Sequence, residues 1–137
     1  SIRVHTAGRT DTGVHAVGQV IHFDTDKQRP NYGWLRGANT RLPDSVALKW
    51  INPVADEFHA RFSAQSRRYR YIMNTRKIQL GLFADYVSRY PLSLDIELMQ
   101  SAIQPLIGRH DFSAYRASGC QSMDPVKTMH SIEIERS

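Results

Sequence analysis

The densest chemical signal in the chain is the run Ala7-Gly8-Arg9-Thr10-Asp11-Thr12-Gly13-Val14-His15-Ala16. Two glycines bracket an arginine and a carboxylate that stand two residues apart. Glycine admits positive φ and close backbone approach, so Gly8 and Gly13 predict a tight loop that presents Asp11. Three chemistries are open to such a loop. In the plainest, Asp11 caps a helix and Arg9 is a solvated surface charge. In the second, Asp11-Thr12-Gly13 is the tripeptide of an aspartic protease. That chemistry needs two carboxylates sharing one proton, whereas Arg9 would keep Asp11 ionised, and the residues feeding the tripeptide do not make an apolar strand. In the third, Asp11 is an ionised carboxylate held by Arg9, able to act as a nucleophile or to stabilise cationic character at a sugar carbon.

A second signal is a concentration of positive charge. No acidic residue lies between Glu57 and Asp85, yet Arg61, Arg67, Arg68, Arg70, Arg76 and Lys77 all fall there, interleaved with Phe62, Tyr69 and Tyr71. Such a run is either a charge-protected strand edge or a surface for phosphates. His15 could hydrogen-bond within its loop or reach a phosphate. The six histidines show no pair at the i, i+4 spacing of a metal-binding helix, and the single cysteine, Cys120, excludes an internal disulfide and a cysteine-rich zinc site. No metal is expected, and a lone cysteine favours a reducing compartment.

Around these signals the elements can be placed by pattern. Strand formers at 18–23 end in the turn residues Asp24-Thr25-Asp26. A short helix is predicted over 31–39, ahead of Leu42-Pro43, and a strand over 45–51. A strand over 67–73 would put Arg67, Tyr69 and Tyr71 on one face, with Arg68 and Arg70 on the other. The longest helical stripe is 94–106, with Ser93 as N-cap, Pro105 in its last turn and Gly108 just past its end; His110-Asp111 reads as the exit from it. Residues 126–135 alternate as a half-solvated strand. The expected class is α+β, a mixed or antiparallel sheet with helices on one side. Residues 53–57 would link a first half, 1–56, to a second, 57–137.

The 137 residues are 41% hydrophobic and 23% charged, a globular composition, and at this size about two-thirds of the unfolded surface could be buried. No apolar run reaches the roughly 20 residues of a spanning helix. The formal charge of +5 permits a polyanionic partner. Both ends stop inside strand-like patterns with no turn chemistry, so a fragment is expected.

The string Gly8-Arg9-Thr10-Asp11-Thr12-Gly13-Val14-His15-Ala16, continuing through Gly18-Gln19-Val20 and Phe23, resembles the catalytic motif of the TruA family of tRNA pseudouridine synthases. The likeness extends through Phe58-His59-Ala60-Arg61-Phe62-Ser63-Ala64, Arg68-Tyr69-Arg70-Tyr71, Leu106-Ile107-Gly108-Arg109-His110-Asp111-Phe112 and Cys120-Gln121. The resemblance implies a cofactor-free, cytoplasmic, homodimeric isomerase that converts uridine to pseudouridine at positions 38 to 40 of the tRNA anticodon stem-loop. It implies that Asp11 is the catalytic aspartate, Arg9 its partner and holder of the flipped nucleotide, and Tyr69 the aromatic that stacks on the uracil. Arg61, Arg67, Arg68, Arg70 and His15 would then bind the tRNA. Family members carry a Tyr-Asp-Gly segment before the stretch matched here and a His-His-Met-Val-Arg-type motif after it, so this chain corresponds to the middle half; Thr12 stands where many have Ala. The reading from another class is a non-catalytic RNA-binding module that uses the basic run alone.

Overall fold

A computed structural model describes residues 2–78, 80–116 and 124–136. The chain forms two compact units, Ser1–Tyr71 and Ile72–Ser137. Within the first unit the Ala60 N–H bonds to His22 and the Arg67 guanidinium to the Ala7 carbonyl. Cys120 and the Cys120-Gln121 pair lie outside the described residues.

The first unit is organised by a hairpin. Strand β1 (His5–Thr6) pairs antiparallel with β2 (Ile21–His22), His5 opposite His22 and Thr6 opposite Ile21. The Ala7 N–H donates to the Val20 carbonyl at 2.8 Å and adds one more rung. The predicted strand at 18–23 is therefore present, shortened to its apolar centre, and the Arg9 and Asp11 run is the loop that the hairpin closes. Helix α1 (Asn31–Asn39) matches the predicted helix residue for residue. With Gly33 and Gly37 inside it, its intrinsic propensity is poor, and packing compensates. Trp34 meets Phe23 edge-on at 5.6 Å, and the Arg29 guanidinium lies 5.4 Å from the Trp34 ring centre.

The expected strand over 45–51 does not form. Asn39, at the end of α1, supplies what a neighbouring strand would: its side-chain amide donates to the Leu48 carbonyl at 3.0 Å, while its Oδ1 accepts the Leu48 N–H at 2.8 Å. A side chain that satisfies both backbone groups of one residue removes the need for a ladder there. The expected strand over 67–73 is corrected too. Only its end pairs, as β3 (Met73–Asn74) in the second unit, while residues 67–71 have no ladder partner among the described residues. A strand pattern is realised only when a second strand accepts its backbone groups.

In the second unit β3 runs parallel to β4 (Ser88–Arg89), joined by Ser88 N–H to Ile72 carbonyl and Tyr90 N–H to Asn74 carbonyl, both 2.9 Å. Helix α2 (Ile96–Ile103) is shorter than the stripe predicted, and its cap is Asp95 in place of Ser93. The Asp95 carboxylate accepts the Leu98 N–H at 3.0 Å. Pro105 tightens the end into a 3-10 turn over Gln104–Leu106. Gly108, with φ +104, then redirects the chain into β5 (Gly108–Asp111), which pairs antiparallel with β6 (Val126–Met129). His110-Asp111 is thus strand, where a helix exit was expected, because the helical run ends at Leu106, Ile107 is already extended and β5 begins at Gly108. The Ser113 N–H and hydroxyl both donate to Asp111 Oδ1, and these bonds hold its carboxyl below the ordinary carboxylate range.

The class is α+β, built among the described residues as three two-stranded ladders, two antiparallel and one parallel. Burial is sparse. The accessible surface is 12736 Å², against about 7,300 Å² for a closed monomer of this size, so the two-thirds burial anticipated from length is not reached. Among the described residues Ala60 is the one apolar residue classed as buried. No helix among the described residues is long and apolar enough to cross a membrane. Replacing Asn39 by Ala removes two solvent-exposed hydrogen bonds and should lower stability by about 1 kcal/mol, read as a shifted urea midpoint at unchanged slope.

Candidate active site

The loop that carries Arg9 and Asp11 is shaped by its glycines and anchored at its base. Val14 N–H donates to the Asp11 carbonyl at 3.0 Å, closing a turn over Asp11-Thr12-Gly13-Val14. Gly13 has φ +82, and among the described residues no non-glycine has positive φ, so Thr12 excludes a type I′ turn and the geometry is type II. The third turn position requires a residue without Cβ, which is why glycine stands there. Gly8 does a different task. Its φ is ordinary; a Cβ built on it would meet Arg67 Nε at 3.5 Å.

The base of the loop is held by side chains from several parts of the unit. Arg67 Nη2 donates to the Ala7 carbonyl at 2.7 Å. The Gln19 amide faces Gly8 in both senses, with Oε1 accepting the Gly8 N–H at 3.4 Å and Nε2 donating to the Gly8 carbonyl. At the far end Lys49 Nζ donates to the Val17 carbonyl at 3.0 Å. These contacts leave the peptides between Arg9 and Thr12 to project outward. Sequence reasoning did not identify Gln19 or Lys49 as site residues. Gln19 lay inside the recognised string, and only its position across the hairpin from Gly8 shows what it holds.

Arg9, Asp11, His15 and Tyr69 are all exposed, Tyr69 with 82% of its surface accessible. Arg9 and Asp11 form no ion pair among the described residues. Of the basic run, Arg68 and Arg70 are exposed and bond to nothing among the described residues, and the Arg61 guanidinium lies 5.8 Å from the Phe62 ring centre. Arg67 stands apart from its neighbours because its guanidinium is already engaged by the protein.

Beneath the hairpin the fold makes a cluster that helical spacing rules do not see. His5 and His22, opposite each other in the ladder, stack at 4.9 Å, and His59 meets them edge-on at 5.4 and 4.6 Å. One ring nitrogen from each lies within 4.8 Å of the others, so these are the residues that could hold a metal ion. Their hydrogen bonds work against it. His22 Nδ1 accepts the Ala60 N–H at 3.1 Å, and His59 Nδ1 accepts the Arg61 and Phe62 N–H groups. A ring that accepts at Nδ1 carries its proton on Nε2 when neutral, whereas a ligating ring donates through its second nitrogen. The cluster is therefore wired to the backbone of 60–62, and it fastens that segment beneath the hairpin.

Desolvation, then the neighbouring His22 and His5 rings, push the His59 imidazole below its ordinary range. The unfolded chain then takes up a proton more readily than the folded one, so this contribution to stability is intact above the ordinary imidazole range and declines as pH falls below it, down to the lowered folded value. Melting temperatures recorded from about pH 7.5 down to about pH 5 should fall, and His59→Gln should flatten that slope. Replacing Gly13 by Ala forces a side chain into left-handed backbone and should cost about 1 to 2 kcal/mol, measured by urea unfolding.

Comparison with known proteins adds a finding independent of this geometry. The sequence pattern of a family described as tRNA pseudouridine synthase matches residues 1–63 and 102–137. Proteins named tRNA pseudouridine synthase A from Shewanella frigidimarina, Pseudoalteromonas atlantica and Aromatoleum aromaticum are each 50% identical over 135 residues. The alignment covers 98% of this chain and 52%, 51% and 51% of those proteins respectively. The chain spans about half the length of the curated relatives it matches.

Proposed function

We propose, from the fact that this chain belongs to the tRNA pseudouridine synthase family, that it carries the catalytic loop of an enzyme that isomerises uridine to pseudouridine in the anticodon stem-loop of tRNA, at positions 38 to 40. The observation that carries the reading is the loop itself. A carboxylate and an arginine sit at the tip of a hairpin whose base is locked, and whose turn is set by Gly13.

Three of the chain's residues then have distinct tasks. Asp11 supplies the negative charge that adds to, or stabilises, the electrophilic centre while the C1′–N1 bond breaks and the C1′–C5 bond forms. The proton at C5 is lost and N1 regains one, so atoms and electrons balance without an external redox partner or net hydrolysis, and no cofactor is called for. Arg9 pairs with Asp11 once substrate is bound and helps hold the nucleotide. Tyr69 offers a ring on which the extruded uracil stacks, since a base inside an A-form stem is out of reach until it is flipped. Its present exposure suits a platform that the substrate covers.

Arg61, Arg68 and Arg70, with His15, supply contacts to tRNA phosphates, each neutralised phosphate steepening the salt dependence of binding. The guanidiniums of Arg68 and Arg70, exposed and unengaged among the described residues, support this. On this reading the complete enzyme acts on tRNA in the cytoplasm and works as a homodimer, as the family resemblance implies. Residues 1–56 contribute the catalytic loop and 57–137 the basic segment.

Release of tritium from C5-labelled uridine in tRNA tests the reading in the full-length protein. Asp11→Asn and Asp11→Ala should abolish release while tRNA is still bound; release at the unsubstituted rate would remove Asp11 from its role. Tyr69→Ala should cost about 1 to 3 kcal/mol of binding to the reacting nucleotide, and Tyr69→Phe, which keeps the ring face, much less.

A further inference from the structure

The Ala7–Gly8 peptide group is the last fixed point before Arg9. Its carbonyl accepts Arg67 Nη2 at 2.7 Å and its N–H donates to Gln19 Oε1 at 3.4 Å. The neighbouring groups are engaged as well, Ala7 N–H by Val20 and the Gly8 carbonyl by Gln19 Nε2. Every backbone donor and acceptor of residues 7 and 8 is thus satisfied, and the plane of the peptide that aims the loop is held at both ends. Arg67 also fills the space beside Gly8, its Nε 3.5 Å from where a Cβ would stand.

We propose that Arg67 is a positioning residue for the catalytic loop, set apart from the phosphate-binding arginines that flank it in sequence. The chemistry separates it from Arg68 and Arg70. A guanidinium committed to a carbonyl of its own protein has fewer donors left for a phosphate, and moving it to RNA would unpin the loop. Its location adds a second consequence. Arg67 lies two residues before Tyr69, so the one side chain ties the segment bearing the stacking ring to the base of the loop bearing the carboxylate. A single hydrogen bond across 60 residues of sequence thereby limits how far ring and carboxylate drift from each other. Reaction rates are sensitive to such drift, since a displacement of about 1 Å can change them by about a hundredfold.

This inference rests on the proposed isomerase reading, and the experiment keeps the two apart. Steady-state tritium release and tRNA binding across a salt series are measured for the full-length protein and for its Arg67→Ala, Arg67→Lys and Arg68→Ala variants. Arg67→Ala should lower kcat by about tenfold to a hundredfold, with the tRNA Kd and its salt slope unchanged. Arg67→Lys, which retains a donor for the Ala7 carbonyl, should recover part of the loss. Arg68→Ala should show a weaker Kd and a shallower salt slope. Amide exchange at Gly8 and Val14 should quicken in Arg67→Ala while exchange within α1 stays as it was, which distinguishes a loosened loop from a loosened fold. A Kd and salt-slope change in Arg67→Ala with kcat intact would overturn the proposal in favour of a phosphate contact. Unaltered exchange at Gly8 would overturn it without reference to activity. Absence of tritium release from the unsubstituted protein would instead defeat the isomerase reading.

Discussion

A loop that does chemistry must hold a charged group in one place although its own backbone has few partners. In this chain that constraint is met by confining order to the two ends of the loop. The Ala7–Gly8 peptide is held by Arg67 and Gln19, and Gly13 sets a type II turn immediately after the carboxylate. Between these fixed points Arg9, Thr10, Asp11 and Thr12 are exposed, and the Asp11 carbonyl accepts the Val14 N–H that closes the turn. The hairpin register, with His5 opposite His22, sets where both ends begin.

The same economy of contacts explains the histidine cluster. His5 and His22 stack, His59 meets both edge-on, and two of the three rings accept backbone N–H groups at Nδ1. The cluster fastens the segment at 58–62 under the hairpin, so that Ala60 is buried there and the chain enters the basic run from a defined point. The polar hydrogen bonds in this unit therefore do much of what an apolar core does elsewhere. They link residue 7 with 67 and residue 22 with 60, and the sparse burial around them leaves large apolar and aromatic side chains such as Val17, Phe62, Tyr69 and Tyr71 open to solvent.

Family membership and geometry speak to different parts of the chain. The matched pattern spans residues 1–63 and 102–137, taking in the loop, the histidines and the β5–β6 ladder but leaving out residues 64–101. Tyr69 and the arginines around it fall in that gap, although relatives align across it at 50% identity overall. The hydrogen bond from Arg67 to Ala7 ties this segment to the loop physically.

Residue type and spacing alone determined the turn at Gly13, the helix over Asn31–Asn39, the strand character around residue 21 and the α+β class. These are local matters, settled by which φ values a residue tolerates and by what lies within one helical turn or one strand length. Tertiary structure decided which alternating segments became strands. Residues 45–51 and 67–73 carry the pattern, but a ladder needs a partner backbone, and in one case Asn39 took that place. It also decided that three histidines at positions 5, 22 and 59 meet, and that one arginine of the basic run, Arg67, bonds to the Ala7 carbonyl. Both outcomes depend on hydrogen bonds spanning tens of residues, and no sequence window contains both ends of such a bond.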